Sequence, residues 1–145
     1  MAAHLFAAID VGSFELEMGI YESTSRKELR EIDHLRHVIS LGRDTYHTGK
    51  ISYHLVDEMC QVLEEFAQVM KSYQVEDYRA YATSAMREAK NSQIILEQIR
   101  VRTGIQVQVI SNSEQRFLGY KAIAMKEAEF QKIIQKGTAI ADVSF

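Results

Sequence analysis

The order of strand-like and helix-like segments predicts an α/β domain with a partly parallel sheet. Three strand patterns come first along the chain, and helical and strand-like patterns then alternate. A chain of 145 residues fits a single domain. Its composition, 46% hydrophobic and 26% charged, is that of an ordinary globular protein. We therefore expect helices to cover a sheet that contains both antiparallel and parallel pairs.

The first three strands are predicted from apolar and β-branched runs that are separated by polar turns. Residues 5–11 and 16–22 are joined by a turn at Gly12, and strand-like residues resume over 29–39. The polar stretch between the second and third runs, residues 22–28, is interpreted as a hairpin loop.

A long amphipathic helix is predicted to follow a polar loop. The loop covers residues 43–50 and is bracketed by Gly42 and Gly49, and Ser52 is a suitable N-cap for the helix. Apolar residues at steps of three and four give the helix one wide face. The face consists of Leu55, Val56, Met59, Cys60, Val62, Leu63, Phe66, Ala67, Val69, Met70 and Tyr73. Cys60 has no disulfide partner in the chain, so a buried thiol is expected.

Strands and helices alternate over the second half of the chain. Residues 78–83 predict a strand, and residues 92–103 predict a helix that ends at Gly104. Residues 105–109 alternate between apolar side chains and glutamines, which predicts a strand with one wetter face. A long helix is predicted over residues 113–135.

Several classes of function lack their sequence signals. The net charge of −3 gives no basic footprint for nucleic acid. No apolar run reaches the roughly 18 residues of a membrane span, and no signal peptide is visible. The common phosphate-loop, dinucleotide, serine-hydrolase and zinc-protease motifs are missing. His34 and His37 are expected to point to opposite faces of a strand, so a zinc site is not expected.

The most informative stretch for function is the strand end that includes Asp10, Gly12 and Ser13. Asp10 could hold a hydrated Mg²⁺ ion, because hard cations take oxygen ligands. Gly12 would allow a positive φ and a close approach of the backbone. The N–H groups of the turn and the Ser13 hydroxyl could cradle an anion. An ordinary turn explains the same residues, so both interpretations stay open.

A second candidate segment, residues 82–91, follows a predicted strand at the position where open α/β sheets bind ligands. Two hydroxyls, on Thr83 and Ser84, and the planar fork of Arg87 could clamp an anionic oxygen. In the alternative interpretation, Thr83 or Ser84 caps a helix and Arg87 is solvated.

A third candidate segment, residues 110–116, leads into the predicted long helix. Glu114 could act as a general base that activates water for attack on phosphorus. Ser111 and Glu114 also have the Ser-x-x-Glu spacing of a capping box, which explains both residues without catalysis.

Together, the three segments resemble the exopolyphosphatase / guanosine pentaphosphate phosphohydrolase family. Their order and spacing are similar to the family pattern from Phe6 to the end of the chain. Residues 82–91 are the most specific match, and residues 9–13 match the start of the first phosphate motif. Residues 110–111 lead into the catalytic segment, and residues 141–143 resemble the opening of the second phosphate motif.

The resemblance implies a fold, because this family belongs to the actin–hexokinase superfamily. We expect a ribonuclease-H-like (actin-like ATPase) α/β domain, with a mixed five-stranded sheet flanked by helices. Residues 1–137 would form the first actin-like domain of a longer protein, and residues 138–145 would begin the strand that leads into the remainder. The active site would lie between two such domains, so the isolated chain is expected to be inactive.

The resemblance also implies a cytoplasmic, Mg²⁺-dependent hydrolase, although another divalent cation could replace Mg²⁺. It would release terminal phosphate from polyphosphate or guanosine pentaphosphate. A homodimer is expected for the full-length protein, with neither membrane nor nucleic acid as partner. The implied metal ligands are Asp10 and Asp142, and the implied phosphate-binding residues are Gly12, Ser13, Ser84 and Arg87. The catalytic base falls on Gln115 without a gap and on Glu114 with a one-residue deletion.

Several residues depart from the family pattern. Phe14 and Glu15 stand where the family has Asn-Ser, and a carboxylate there would repel phosphate unless a cation intervenes. Ser144 and Phe145 replace two glycines of the second phosphate motif. The alternative function is therefore a degenerate member that binds polyphosphate or nucleotide as a sensor or scaffold. A sugar or acetate kinase of the same superfamily is a third hypothesis.

Overall fold

A computed structural model of the chain describes residues 4–23 and 29–110. Five strands form one sheet in the order β3-β2-β1-β4-β5. They are β1 (His4–Val11), β2 (Glu15–Ser23), β3 (Leu29–Val38), β4 (Asp77–Ala82) and β5 (Gln108–Val109). The predictions for residues 113–135 and 138–145 lie outside the described residues, as do Glu114, Gln115 and Asp142.

The sheet is mixed, as predicted. β1 pairs antiparallel with β2, and β2 pairs antiparallel with β3, because short connections join these strands. β4 pairs parallel with both β1 and β5, after connections long enough to contain helices. The β2–β3 register shifts between Ile20 and Tyr21, where β3 contributes one extra residue in a β-bulge.

The helices are α1 (Leu41–Thr48), α2 (Tyr53–Tyr73), α3 (Ser84–Glu88) and α4 (Ser92–Thr103). The predicted loop over residues 43–50 is wrong, because most of it lies in α1. The polar composition of α1 conceals a short buried face at Leu41 and Thr45. The Thr45 hydroxyl donates a hydrogen bond to the Ala85 carbonyl at 3.0 Å, so α1 packs against α3.

The α2 helix provides most of the helical side of the core, as its periodicity predicts. It packs against β2 and α4, and its fully buried side chains include Met59, Cys60 and Leu63. Burial raises the pKa of the Cys60 thiol, as expected for a buried cysteine. Ser52 lies at the predicted N-cap position, but its hydroxyl contacts His54 Nδ1 at 3.2 Å and caps no N–H of α2 within the described chain.

The later elements follow their predicted bounds with one exception. The strand predicted over 78–83 is β4, and the helix predicted over 92–103 is α4, which ends at Gly104 with a φ of 79°. The strand predicted over 105–109 is shorter than expected. Pairing with β4 covers Gln108–Val109, although Ile105 is buried in the core.

The two faces of the sheet carry different side chains. His37 contacts Glu58 of α2, with 2.8 Å between Nε2 and Oε2. His34 faces the opposite side, where it lies 3.7 Å from carboxylate oxygens of Glu17 and Glu31. The prediction that the two histidines point to opposite faces is therefore confirmed.

A single amide side chain links the loops that follow α1 and α3. The Asn91 Nδ2 donates to the Ile51 carbonyl at 3.0 Å, and its Oδ1 accepts from the Ile51 N–H at 3.2 Å. Beside it, the Lys90 N–H donates to the Gly49 carbonyl at 2.8 Å. The Asn91 side chain thus forms with the Ile51 backbone the two hydrogen bonds that a residue of a neighbouring strand would form. These bonds hold α1 close to α3.

None of the helices in the described segments is long and apolar enough to cross a membrane.

Candidate functional site

The predicted phosphate-binding residues lie at the edge of the sheet where the parallel strands β1, β4 and β5 end. The Thr83 N–H donates to the Val11 carbonyl at 3.4 Å, and the Ile110 N–H donates to the Ala82 carbonyl at 2.9 Å. The chain segments that leave these strands therefore start side by side. Ligands of open α/β sheets bind at this type of edge.

A tight turn follows β1. The Gly12 N–H donates to the Glu15 carbonyl at 2.9 Å, so Ser13 and Phe14 form the tip. Gly12 does not adopt the positive φ that glycine allows. Among the described residues, positive φ occurs at Gly49, Gln74 and Gly104. A Cβ at Gly12 would lie 3.0 Å from the Glu15 carbonyl oxygen. Glycine suits this position because the backbone crosses so closely.

The start of α1 supports the turn. The Ile39 N–H donates to the Phe14 carbonyl at 3.0 Å, and the Gly42 N–H donates to the Ser13 carbonyl at 2.7 Å. A Cβ at Gly42 would lie 3.0 Å from Ser13 Cβ and 3.2 Å from Phe14 Cζ. The tip of the turn thus rests directly on the backbone of α1.

Three hydroxyl groups meet beside the turn. Ser13 Oγ lies 3.1 Å from Ser84 Oγ, and the Tyr46 hydroxyl donates to Ser84 Oγ at 2.8 Å. We call these three residues the hydroxyl cluster. Thr83 precedes α3, but within the described chain its side chain caps no N–H of that helix. Thr83 thus occupies the N-cap position, as the helix-cap interpretation has it, but among the described residues its hydroxyl does not cap the helix.

Sequence reasoning missed Tyr46, because residues 43–50 were assigned to a loop. The helical spacing of Gly42 and Tyr46 was the available signal. In α1 they lie one turn apart, and a Cβ at Gly42 would also be 3.2 Å from Tyr46 Cε2. The hydroxyl of Tyr46 reaches α3 because its ring lies over this glycine.

Arg87 links the second candidate segment to the start of the third. Its Nη1 donates to the Ile110 carbonyl at 2.9 Å, and its Nε donates to Glu88 Oε1 at 3.3 Å. The side chain is partly buried. The alternative of a fully solvated Arg87 is therefore wrong, and a positive charge lies at the edge of the sheet next to Ile110.

Asp10 is the one predicted metal ligand that lies within the described residues. The Asp10 side chain is exposed to solvent, but the surrounding protein atoms remove part of the hydration of its carboxyl group. This burial, together with the negative charge of Glu15, raises the pKa of Asp10. No group of three or more His, Cys, Asp or Glu residues in the described segments is arranged to hold a metal. Mg²⁺ is often held by one or two carboxylates plus waters and substrate phosphates, so a single Asp10 fits that kind of site.

Glu15 has a cation beside it. It forms an ion pair with Arg36 of β3. A hydrogen bond with Glu17 and the Arg36 guanidinium lower the pKa of Glu15, while the same hydrogen bond raises the pKa of Glu17. We call Asp10, Glu15 and Glu17 the carboxylate cluster. Arg36 therefore neutralises much of the charge that was expected to repel phosphate.

The chain is similar to known phosphatases. The sequence model of the Ppx/GppA phosphatase family matches residues 20–135. Exopolyphosphatase 1 of Mycobacterium bovis is 26% identical over 115 residues, which cover 79% of this chain and 33% of that protein. Exopolyphosphatase 1 of Mycobacterium leprae is 27% identical over 115 residues, which cover 79% of this chain and 34% of that protein. The chain thus spans about a third of the length of these curated relatives.

Solved structures have the same fold. The Ppx/GppA family member of Aquifex aeolicus superposes with a TM-score of 0.79 and 31% identity, covering 86% of this chain and 40% of that chain. An exopolyphosphatase from Cytophaga hutchinsonii superposes with a TM-score of 0.72, covering 77% of this chain and 35% of that chain. At 22% identity, the second likeness supports the fold alone.

These findings confirm the predicted fold and the predicted family. The mixed five-stranded sheet with its helices has the actin-like ATPase architecture of these structural neighbours. The family match begins at Ile20, after the Gly12 turn, and runs through β3 and the helices to residue 135. The chain belongs to the Ppx/GppA phosphatase family.

Proposed function

We propose that this chain supplies the phosphate-binding half of an exopolyphosphatase-like hydrolase of phosphoanhydride bonds. The observation that carries the proposal is the 3.1 Å contact between the hydroxyls of Ser13 and Ser84, which are 71 residues apart. These residues come from the two segments that were independently predicted to bind phosphate. In a hydrogen-bonded pair of hydroxyls at the carboxyl ends of β1 and β4, one serine donates to the other and the second serine proton is available to an anionic oxygen.

The other described residues have complementary roles in this proposal. Arg87 provides a positive charge at the same edge of the sheet, and guanidinium groups bind phosphate oxygens through paired N–H donors. Its contact with the Ile110 carbonyl keeps the guanidinium close to the strand ends. The N–H groups of the turn at Gly12 and Ser13 would add backbone donors.

Asp10 would hold the divalent cation, with Asp142 as the second proposed ligand. Mg²⁺, when bound, neutralises charge on phosphate oxygens. Burial and the charge of Glu15 raise the pKa of Asp10, and a bound cation would act in the opposite direction by favouring the ionised carboxylate. We propose Glu114 as the base that takes the proton of the attacking water. Gln115 occupies that place in the ungapped register and cannot serve as a base.

Substrate, assembly and location extend the proposal to the intact protein. The substrates would be inorganic polyphosphate or guanosine pentaphosphate, in line with the relatives named exopolyphosphatase. A second actin-like domain would complete the cleft, and the intact protein would be a cytoplasmic homodimer. Light scattering after size-exclusion chromatography tests the assembly, and fractionation of the source cells tests the location.

One observation favours the alternative of a sensor or scaffold without hydrolysis. Phe14 is 59% exposed at the tip of the turn, where the family has a polar residue. An exposed aromatic ring gives a phosphate no donor from this position. Binding through the hydroxyl cluster would remain, while positioning for attack would be weakened.

Two measurements on the intact protein separate the two functions. We expect polyphosphate to bind by calorimetry and free phosphate to be released when Mg²⁺ is added. Tight binding without release would support the sensor and reject the hydrolase. If neither polyphosphate nor guanosine pentaphosphate binds, both proposals are wrong.

A further inference from the structure

The hydroxyl cluster has a direction that starts at Tyr46. The Tyr46 hydroxyl donates to Ser84 Oγ at 2.8 Å, and Ser84 Oγ lies 3.1 Å from Ser13 Oγ. A phenol is a stronger acid than an alcohol, so the phenol is the natural donor of a mixed pair. One lone pair of Ser84 is therefore occupied by a proton from Tyr46.

This donation changes what the two serines offer to a ligand. Ser84 and Ser13 share one hydrogen bond, whichever of them donates, and the second serine proton stays available for an outside acceptor. Donation from Tyr46 polarises Ser84 and strengthens the donor that follows in the chain of hydroxyls. It also covers a lone pair that would otherwise face the negative oxygen of a ligand. The cluster then presents a proton, which is the group that an anion binds.

Tyr46 is held in place by the element that supports the turn. Its ring lies over Gly42, whose N–H donates to the Ser13 carbonyl at 2.7 Å. The side chain of Tyr46 is 58% exposed, so the hydroxyl cluster opens to solvent at this point. One helix thus fixes both the backbone of Ser13 and the hydroxyl that orients Ser84.

We propose that Tyr46 is a positioning residue for phosphate binding, which acts through Ser84 to make the hydroxyl cluster a donor toward an anionic oxygen. The proposal rests on the proposed function, because Ser13 and Ser84 are the proposed phosphate-binding residues. In this scheme Tyr46 acts through its hydrogen bond to Ser84, and it has no part in the chemical step. Its effect therefore falls on substrate binding rather than on the chemical step.

The first test replaces Tyr46 with Phe in the intact protein. Y46F keeps the ring over Gly42 and removes one hydroxyl. We expect Kd for polyphosphate of defined length, and KM for phosphate release, to rise about three- to tenfold, the size of one lost hydrogen bond. The kcat should stay within about twofold. The matched control is Y53F, since Tyr53 is 81% exposed at the start of α2, away from the turn.

The second test asks whether Tyr46 acts through Ser84. We expect S84A and the double variant Y46F/S84A to have the same Kd within about twofold, because removing Ser84 leaves Tyr46 nothing to orient. Effects of the two changes that multiply would mean that Tyr46 acts independently, and would overturn the proposal. A Kd unchanged in Y46F while S84A binds weakly would also overturn it and leave the proposed function standing. Absence of binding by the unmodified protein would instead reject the proposed function, and this proposal with it.

Discussion

Two polar clusters adjoin the turn at Gly12, and they differ in charge. The hydroxyl cluster is neutral: Tyr46 donates to Ser84, and Ser84 and Ser13 share one hydrogen bond. The carboxylate cluster is charged: Arg36 pairs with Glu15, and the contact between Glu15 and Glu17 lowers the pKa of Glu15 and raises the pKa of Glu17. The first cluster suits an anion, whereas in the second Asp10 alone is the proposed ligand of a cation.

This difference explains how an added carboxylate can be tolerated beside a phosphate-binding turn. Glu15 is paired with Arg36 of β3, whereas Tyr46 and Ser84 of the hydroxyl cluster lie on α1 and α3. Binding of phosphate and retention of Glu15 are therefore compatible. The following variants separate the contributions of the two clusters, from the largest expected effect to the smallest.

The largest effect should come from a residue outside both clusters. Glu114→Gln should lower kcat for phosphate release by about 10²–10⁴-fold, the usual cost of removing a general base. Polyphosphate should bind to this variant as it does to the unmodified protein, because both clusters are intact. Calorimetry and a phosphate-release assay measure the two quantities. An unchanged kcat would reject Glu114 as the base, and Gln115→Ala serves as the control for the other register.

Removing the charge of Asp10 should weaken binding of the proposed cation. Asp10→Asn should lower Mg²⁺-dependent phosphate release by about 10²-fold, since a metal supplies several kcal/mol of charge stabilisation. The Asp10→Asn variant should nevertheless be more stable against unfolding than the unmodified protein at neutral pH. The pKa of Asp10 is raised in the folded state, so ionisation of Asp10 destabilises the fold as the pH rises through that pKa.

Thermal unfolding between pH 4 and pH 8 checks the stability part of this expectation. Asp10→Asn should have the higher Tm at neutral pH, and its advantage should disappear at low pH, where Asp10 is protonated. Asp77→Asn is the matched control, because Asp77 begins β4 at the opposite end of that strand from the turn. A lower Tm for Asp10→Asn at neutral pH would mean that the carboxylate stabilises the fold.

Adding one methyl group to α1 should disturb the hydroxyl cluster and spare the carboxylate cluster. Alanine is normally favoured over glycine inside a helix, by about 1 kcal/mol. At Gly42 the new Cβ would lie 3.0 Å from Ser13 Cβ, so we expect Gly42→Ala to cost about 1–3 kcal/mol through overpacking. Urea unfolding measures the change. A gain in stability would show that α1 can move away from the turn without cost.

The smallest effect should come from uncovering the charge of Glu15. Arg36→Gln leaves the carboxylate without its cation, and we expect Kd for polyphosphate to rise about two- to fivefold at low ionic strength and less at high salt. The double variant with Glu15→Gln should recover the original Kd. Arg30→Gln is the matched control, because Arg30 pairs with Glu22 in the same two strands. Equal effects of the two arginine variants would exclude a specific role for Arg36.

The sequence was sufficient for the features that depend on local periodicity. Apolar runs with turn residues predicted β1, β2 and β4, and steps of three and four predicted the buried face of α2. The positions of Ser13 and Ser84 followed from the rule that ligand sites lie at the carboxyl ends of parallel strands. Their direct contact at 3.1 Å is a tertiary detail that the rule does not contain.

The structural features that the sequence analysis did not predict depend on contacts between distant segments. α1 is polar and short, and it forms because Thr45 and Tyr46 reach α3. A glycine at position 12 is compatible with either a positive φ or a close backbone crossing, and the sequence does not distinguish the two. The pairing of Glu15 with Arg36 requires the β2–β3 register, which includes a bulge that no pattern in the sequence predicts.

The two hydrogen bonds between the Asn91 side chain and the Ile51 backbone have a consequence for how members of this family diverge. Asn91 belongs to the segment that most strongly resembles the family, and its side chain replaces backbone pairing with Ile51. A descendant that lost hydrolysis would still need this amide, because its loss would leave backbone groups of Ile51 unpaired and would free α1 from α3. Natural selection for a stable fold alone would therefore preserve the end of the segment. Catalytic descent is better traced through Ser13 and Ser84, whose side chains bond to other hydroxyl groups.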